Sequence, residues 1–478
     1  MAEKFYLTTS IIYTNAAPHL GFAYELLLSD IIARYRRERG DEVFFLTGTD
    51  EHGAKIARAA KDKGMEAQAF VDENAAKVKA LAKALDISND DFIRTSDRER
   101  HWPGAVKLWE AIEKKGDLEK RKYKGLYCVG HEAFHPGSAL LNGECPDYPG
   151  RKLELVEEEN WFFKLSKYAP QIKKFIENGE LHIIPESRKP EMLAILDEGL
   201  EDVSFSRPTG SVSWGIPVPG DPSQTMYVWC DALSNYITAA GYGTDEAKFR
   251  KWWPADLHVI GKDILRFHSL IWPGMLLSAG LELPKRIFVH GFITVEGKKM
   301  SKSVGNVIDP MALIGKYGRE AFRYYFAREI SPFEDGDFSE KKFIEAYNAN
   351  LANGLGNLTA RITKLAEEYL PGPIKEPNVS GTFPGEYAKY FDDFEINRYI
   401  DCIWEEIQIL DKQINETEPF KVIKSNSEKG ESLIRAQAES LYLIAHYLIP
   451  ILPETSGLIK KAILSNKKPE TLFPRIEK

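Results

Sequence analysis

The first fifty residues constrain the fold more than any other part of the chain. Phe5–Thr9 is a β-rich run, followed by the turn-rich IIYTNAAPHLGF. Apolar residues then recur at helical spacing through LLLSDIIARYRRERG, which stops at Gly40. Glu42–Thr47 (EVFFLT) reads as a buried strand that Gly48 breaks before TDEHG. Parallel strands need a crossover helix between them, so strand, helix, strand is the opening of an α/β doubly wound parallel sheet. Two further helices are expected. One spans Met65–Ala84; the other runs from Pro103 to Gly116 and buries Val106, Trp109 and Ile112.

The pattern changes at Asp117. Through Val212 short β-like pieces, two cysteines and many Gly and Pro residues replace the alternation, as in an insertion interrupting the sheet. Strands resume with MYVWC at Met226–Cys230, LHVIG at Leu257–Gly261 and IFVHGF at Ile287–Phe292. Beyond Ser339 only helical periodicity remains, so a helical bundle closes the chain. The expected division is 1–116 and 213–290 for the two halves of the sheet domain, 117–212 for the insertion, 291–338 for a loop-bearing region and 339–478 for the bundle. A length of 478 residues, too great for one core, agrees with several domains.

Lys and Arg total 63 against 71 Asp and Glu, a net charge of -8, so any nucleic acid must be held by local basic patches. Four scattered cysteines (Cys128, Cys145, Cys230 and Cys402) suit a reducing compartment, not a disulfide framework. With no leader-like start and no membrane-length apolar stretch, a cytoplasmic protein is expected.

Two motifs carry chemistry. Pro18-His19-Leu20-Gly21-Phe22 lies between the first strand and the first helix, where helix N–H groups face ligands. Gly21 lets a nucleotide approach the backbone, and His19 offers a donor to phosphate. By itself this is equally a loop with Pro at a helix start. Lys298-Lys299-Met300-Ser301-Lys302-Ser303 lies past the last strand between Gly297 and Gly305; lysines on such a loop can close over a triphosphate.

Together, in this order, these motifs resemble the HIGH and KMSKS signatures of class I aminoacyl-tRNA synthetases, enzymes with a Rossmann-like catalytic domain. The match is most similar to the methionine-specific branch. It extends over TNAAPHLGFAYE, FLTGTDEHG, EENWFFKLSKY, WGIPVPGD, YVWCDALSNY, GKDILRFHSLIWP, KMSKSVGNVIDP and LANGLGNLTAR. One departure is Phe22 where the family has His, which predicts a phosphate-side hydrogen bond lost or supplied by another group.

The resemblance implies ATP-dependent activation of L-methionine to methionyl-adenylate, release of pyrophosphate, and transfer of methionine to the 3′ end of tRNA(Met). It assigns ATP, carried with Mg²⁺, to His19, Gly21, Glu25, Gly261, Asp263, Lys299, Ser301 and Lys302, with His19, Lys299 and Lys302 catalytic. Asp50 would take the methionine ammonium, although its position equally suits a helix N-cap. Ile11, Tyr13, Trp229, Ala232, Tyr236, Ile264 and His268 would line the side-chain pocket, with aromatics against the polarizable sulfur. Leu233 replaces a proline common in the family.

In the insertion, Cys128-x₂-His131 and Cys145-x₂-Tyr148 stand where relatives carry two pairs of zinc ligands. Tyr is a poor ligand, so a zinc-free knuckle is expected; the alternative is zinc on Cys128, His131 and Cys145, completed by Asp147 or His135. Asn353, Asn357, Arg361 and Phe420 are implied to read the anticodon, the first three at four-residue spacing and the last by stacking. A synthetase for leucine, isoleucine or valine would carry a larger editing insertion than 117–212 allows. A silent tRNA-binding relative would not need His19, Lys299 and Lys302 intact. With LFPRIEK following the bundle and no appended dimerisation domain, a monomer is expected.

Overall fold

The computed structural model describes residues 3–128, 133–135, 153–300, 306–379 and 383–477. Its centre is a parallel sheet. We label the strands β1 (Lys4–Thr9), β2 (Glu42–Asp50), β3 (Asp91–Arg94), β4 (His182–Ile184), β5 (Leu257–Gly261) and β6 (Arg286–His290). Their order across the sheet is β3-β2-β1-β5-β6-β4, every pairing parallel. A seventh, two-residue strand, Ile12–Tyr13, pairs with the end of β2. The strand order turns between β1 and β5, so the crevice beyond their carboxyl ends is where an open α/β sheet binds ligands.

Alternate side chains of β1 face opposite cores. Phe5 and Leu7 join a cluster with α1 (Leu20–Glu38), while Tyr6 joins one with α2 (Trp102–Lys114) and α3 (Val228–Thr238). The sheet is therefore covered on both faces.

Several local expectations need correction. Gly48 does not end the second strand, which runs on to Asp50. A Cβ at Gly48 would lie 2.2 Å from the Ile93 carbonyl oxygen, so the missing side chain is what lets β3 pair there. In α2 the buried positions are Gly104, Ala105, Leu108, Trp109 and Ile112, while Val106 is only half-buried. MYVWC is not a strand: the strand is Asp221–Met226, in a small antiparallel sheet, and Val228 already begins α3. Nearly every residue of α3 is buried, so it shows no polar stripe from which a helical period can be read. The 117–212 stretch forms an antiparallel sheet around Leu118–Cys128 and Glu154–Phe163, but it also contains β4, which pairs with β6.

Past Phe338 no strand occurs among the described residues. Long helices at Ile396–Thr417 and Ser427–Tyr447 pack with α4 (Arg319–Arg328) into the same hydrophobic cluster as α1. Tyr347–Gly356 is wound as a π-helix before Asn357–Tyr369 continues as an α-helix.

A fully buried ion pair bridges sheet domain and bundle. Arg323, 0 % exposed on α4, pairs with Asp30 of α1 at 2.7 Å. It also donates to the carbonyl oxygens of Ile451 (2.8 Å), Pro450 (2.9 Å) and Leu85 (3.1 Å). Burial would raise the Asp30 pKa, but Arg323 and Arg34 hold it below the usual carboxylate range.

Candidate active site

Three chain segments meet at the turning point of the sheet. The first is the start of α1. His19 is its N-cap, and its Nδ1 accepts a hydrogen bond from the Phe22 N–H at 3.2 Å. An accepting Nδ1 places the ring proton on Nε2, the nitrogen left to donate to a ligand. The ring is exposed at the cleft yet hemmed in by protein, and this desolvation lowers its pKa, while Asp263 and Glu25 oppose the shift and His290 adds to it. His19 is therefore a neutral donor near pH 7.

Gly21 serves His19 before it serves any nucleotide. A Cβ there would lie 3.2 Å from Cε1 and Nδ1 of His19, so the ring folded back over the helix terminus occupies the space expected for ATP. Phe22 is 4 % exposed and packs in the core shared with α1, so this position gives the cleft no side chain.

Glu25, expected to meet ATP, is 3 % exposed with both oxygens engaged. One accepts from the Ser10 N–H (2.9 Å) and hydroxyl (2.6 Å); the other pairs with His290 Nε2 at 3.0 Å. His290, at the end of β6, also donates from Nδ1 to the Gly291 carbonyl at 2.8 Å. Burial alone would lower its pKa, but the hydrogen bond and charge of Glu25 raise it. With both nitrogens donating, His290 is an imidazolium matched by Glu25. The second segment, at the end of β5, brings Gly261 and the exposed Asp263 close to this group: a Cβ on Gly261 would lie 2.9 Å from Asp263 Oδ1.

The third segment is α3 with the π-helical turn Phe267–Ile271. Trp229 stacks on Phe267 with centroids 3.7 Å apart, and Tyr236 bonds His268 at 2.7 Å. His268 Nδ1 donates to the Ile264 carbonyl at 2.9 Å, so its Nε2 accepts the Tyr236 hydroxyl proton. Burial lowers the His268 pKa to about 4, which fixes the neutral ring. The Tyr236 proton is thus committed to His268, and the buried hydroxyl oxygen is left only as an acceptor. Ile11, Tyr13 and Ile264 are half-buried and Ala232 is buried in this region. Leu233 is 1 % exposed and part of the core.

Because folded His268 refuses a proton that the unfolded chain accepts near pH 6.5, stability is lost as pH falls from about 6.5 toward 4. A His268→Gln variant should lose less stability across that window, measured as denaturation midpoints at pH 7 and pH 5. An unchanged pH dependence would contradict the buried neutral ring.

Asp50 stands at the end of β2. It is buried, and its Oδ1 lies 3.5 Å from Thr95 Oγ1. Its neighbours are pinned. Glu51 is held by Arg94 Nε (2.7 Å) and Nη2 (2.9 Å), and His52 Nδ1 by Asp231 at 2.6 Å. Burial pushes the Tyr236 hydroxyl pKa up, and the charges of Glu25 and Asp50 add to that shift.

Other expected site residues are less informative. Lys299 ends a hairpin with Ile293–Val295, closed by a turn in which Glu296 (φ 51) and Gly297 (φ 73) are left-handed. The Lys299 side chain and residues Ser301 and Lys302 lie outside the described residues, as do His131, Cys145 and the Cys128 side chain. In the bundle Asn353 and Asn357 are exposed and Phe420 is 37 % exposed. Arg361 is anchored by Asp411 and by Asn415 at 2.7 Å. Asn353, Asp411 and Asn415 line a groove of about 390 Å³.

Sequence reasoning missed Ser10, His290, His52, His101 and Asp231. A histidine before glycine at a strand end, as in VHG, was the available signal for His290; the others carry none without the fold.

A family model for "tRNA synthetases class I (M)" matches residues 5–153 and 148–363. The methionine–tRNA ligase of Thermotoga maritima is 43 % identical over 98 % of this chain and 76 % of its own length. That of Caldanaerobacter subterraneus subsp. tengcongensis is 41 % identical over 100 % and 80 %. Among solved structures, Mycobacterium tuberculosis methionyl-tRNA synthetase in complex with methionyl-adenylate superposes with a TM-score of 0.90 at 36 % identity, covering 99 % of this chain and 100 % of that one. The free form of that enzyme gives 0.84 at 32 %, covering 100 % and 99 %.

Proposed function

The chain belongs to the class I tRNA synthetases, in the methionine–tRNA ligase family, and from this membership we propose how its residues divide the reaction. The enzyme activates methionine with ATP to methionyl-adenylate and transfers methionine to tRNA. Asp50 receives the ammonium, and Ile11, Tyr13, Trp229, Ala232, Tyr236, Ile264 and His268 enclose the thioether. Its carboxylate then points across to the ATP cleft, where it attacks the α-phosphate in line. The nucleophile is already anionic, so no general base is needed; positioning and charge neutralisation carry the step.

At the nucleotide, neutral His19 donates Nε2–H to a phosphate oxygen. Gly261 and Asp263 meet the ribose, and Lys299, Ser301 and Lys302 close on the departing pyrophosphate. Glu25 acts through His290, keeping a matched ion pair beneath the cleft. The set fits MgATP, since the one fully buried acid there is already neutralised and Asp263 alone is exposed. Mg²⁺ supplies charge neutralisation on the phosphates. In the bundle, exposed Asn353, Asn357 and Phe420 meet anticodon bases, while Arg361 shapes the groove through Asp411 and Asn415. As a translation enzyme it is placed in the cytoplasm.

The observation that carries this division is the meeting of a neutral His19 donor with an adjoining aromatic chamber at the turning point of the sheet. ATP–pyrophosphate exchange with methionine, leucine, isoleucine, valine and cysteine tests it. Methionine is expected to be preferred, with discrimination of about 1–3 kcal/mol per methylene against aliphatic analogues. Preference for any other amino acid would refute the pocket assignment.

A further inference from the structure

Behind the amino-acid chamber lies a buried charge to which the reaction assigns no task. Asp231 is 0 % exposed on α3, and its two oxygens hold two different rings: His52 Nδ1 at 2.6 Å and His101 Nε2 at 2.7 Å. His101 reaches on through Nδ1 to Thr238 Oγ1 at 2.9 Å, so one imidazole grips the same helix at two points about two turns apart. His52 Nε2 is buried without a hydrogen-bond partner among the described residues. The orientation of the His52 ring therefore depends on Asp231 for its one polar contact.

A buried carboxylate is costly, and well-packed apolar residues often stabilise as much or more. Its geometry suggests what it does instead. His52 stands two residues beyond Asp50, while Asp231 lies between Trp229 and Ala232 and upstream of Tyr236 on α3. We propose that Asp231 is a positioning residue, whose carboxylate ties the strand end bearing Asp50 to the helix bearing Trp229, Ala232 and Tyr236. It sets the span between the ammonium carboxylate and the side-chain wall. None of its hydrogen bonds reaches His19, Gly261 or Asp263, so the nucleotide cleft does not depend on it.

This inference rests on the assignment of Asp50 and α3 to methionine. The test is steady-state ATP–pyrophosphate exchange with the full chain. D231N should raise KM for methionine by about tenfold or more, with KM for ATP within about twofold, because misplacing a binding group by about 1 Å costs on that scale. T238V, which removes the outer hydrogen bond to His101 together with the longer 3.2 Å bond to the Asn235 carbonyl within α3, should shift KM for methionine the same way by less. A parallel rise in both KM values, or a fall in melting temperature with KM for methionine unmoved, overturns the proposal. If D231N does not fold, an unchanged KM for methionine in T238V overturns it. Wild-type enzyme that does not use methionine would sink the pocket assignment, and this inference with it; a methionine-specific wild type with unaffected variants sinks this inference alone.

Discussion

His19→Ala is expected to lower kcat for methionine-dependent ATP–pyrophosphate exchange by about 10²–10³-fold, the usual cost of removing a donor aimed at developing charge. The cap geometry explains why so much rests on one ring. Phe22 N–H occupies Nδ1, so the only free nitrogen is a proton-bearing Nε2 at the cleft. Desolvation lowers the ring's pKa, so it donates as a neutral group and costs no proton at working pH. KM for methionine should change little, since His19 is not among the residues proposed to hold methionine. A loss in kcat smaller than about tenfold would remove His19 from the chemistry. Phe22 adds nothing toward the phosphates, so no second histidine on this helix turn is present to compensate.

The largest stability effect is expected from Arg323→Met. The change leaves Asp30 buried without its main cation and strips three backbone carbonyl oxygens of a donor, at a cost of about 3–5 kcal/mol. Guanidinium titration should show a much lower midpoint, and the double variant Asp30→Leu/Arg323→Met should recover much of it. A single-variant loss below about 1 kcal/mol would mean water or a neighbouring group serves Asp30 instead. The pH dependence has a definite sign. A carboxylate whose folded pKa is depressed contributes its full stability above the unfolded value near 4 and loses it as pH falls through the folded one. The gap between wild type and variant should therefore narrow in acid.

What the sequence discloses follows from which signals are local. Strand, helix and strand at the start, Leu257–Gly261, and the helical character beyond Ser339 were all legible, because period and breakers are written in neighbouring residues. MYVWC misled because a helix buried on all sides resembles a strand in hydropathy. Gly48 misled because the chain alone does not show which backbone will approach it. His19, Asp50 and the aromatic residues proposed for the pocket were singled out by motif and resemblance, and their roles stand as proposals. Ser10 and the pairing of His290 with Glu25 were not: VHG marks a histidine at a strand end, but nothing in the chain shows that its partner stands 265 residues away. The role of Gly21 was likewise visible only once the ring of His19 lay over it.

The continuous apolar cluster between α1 and the helices beyond Phe338 bears on modularity. A polypeptide ending at residue 338 would not behave as an autonomous adenylating half. It would bare the α4 flank and leave Arg323 without its two proline-corner acceptors at Pro450 and Ile451, a surface prone to self-association. Trimming this enzyme to a minimal catalyst would require a redesigned outer face for α1 and α4, not merely an earlier stop codon.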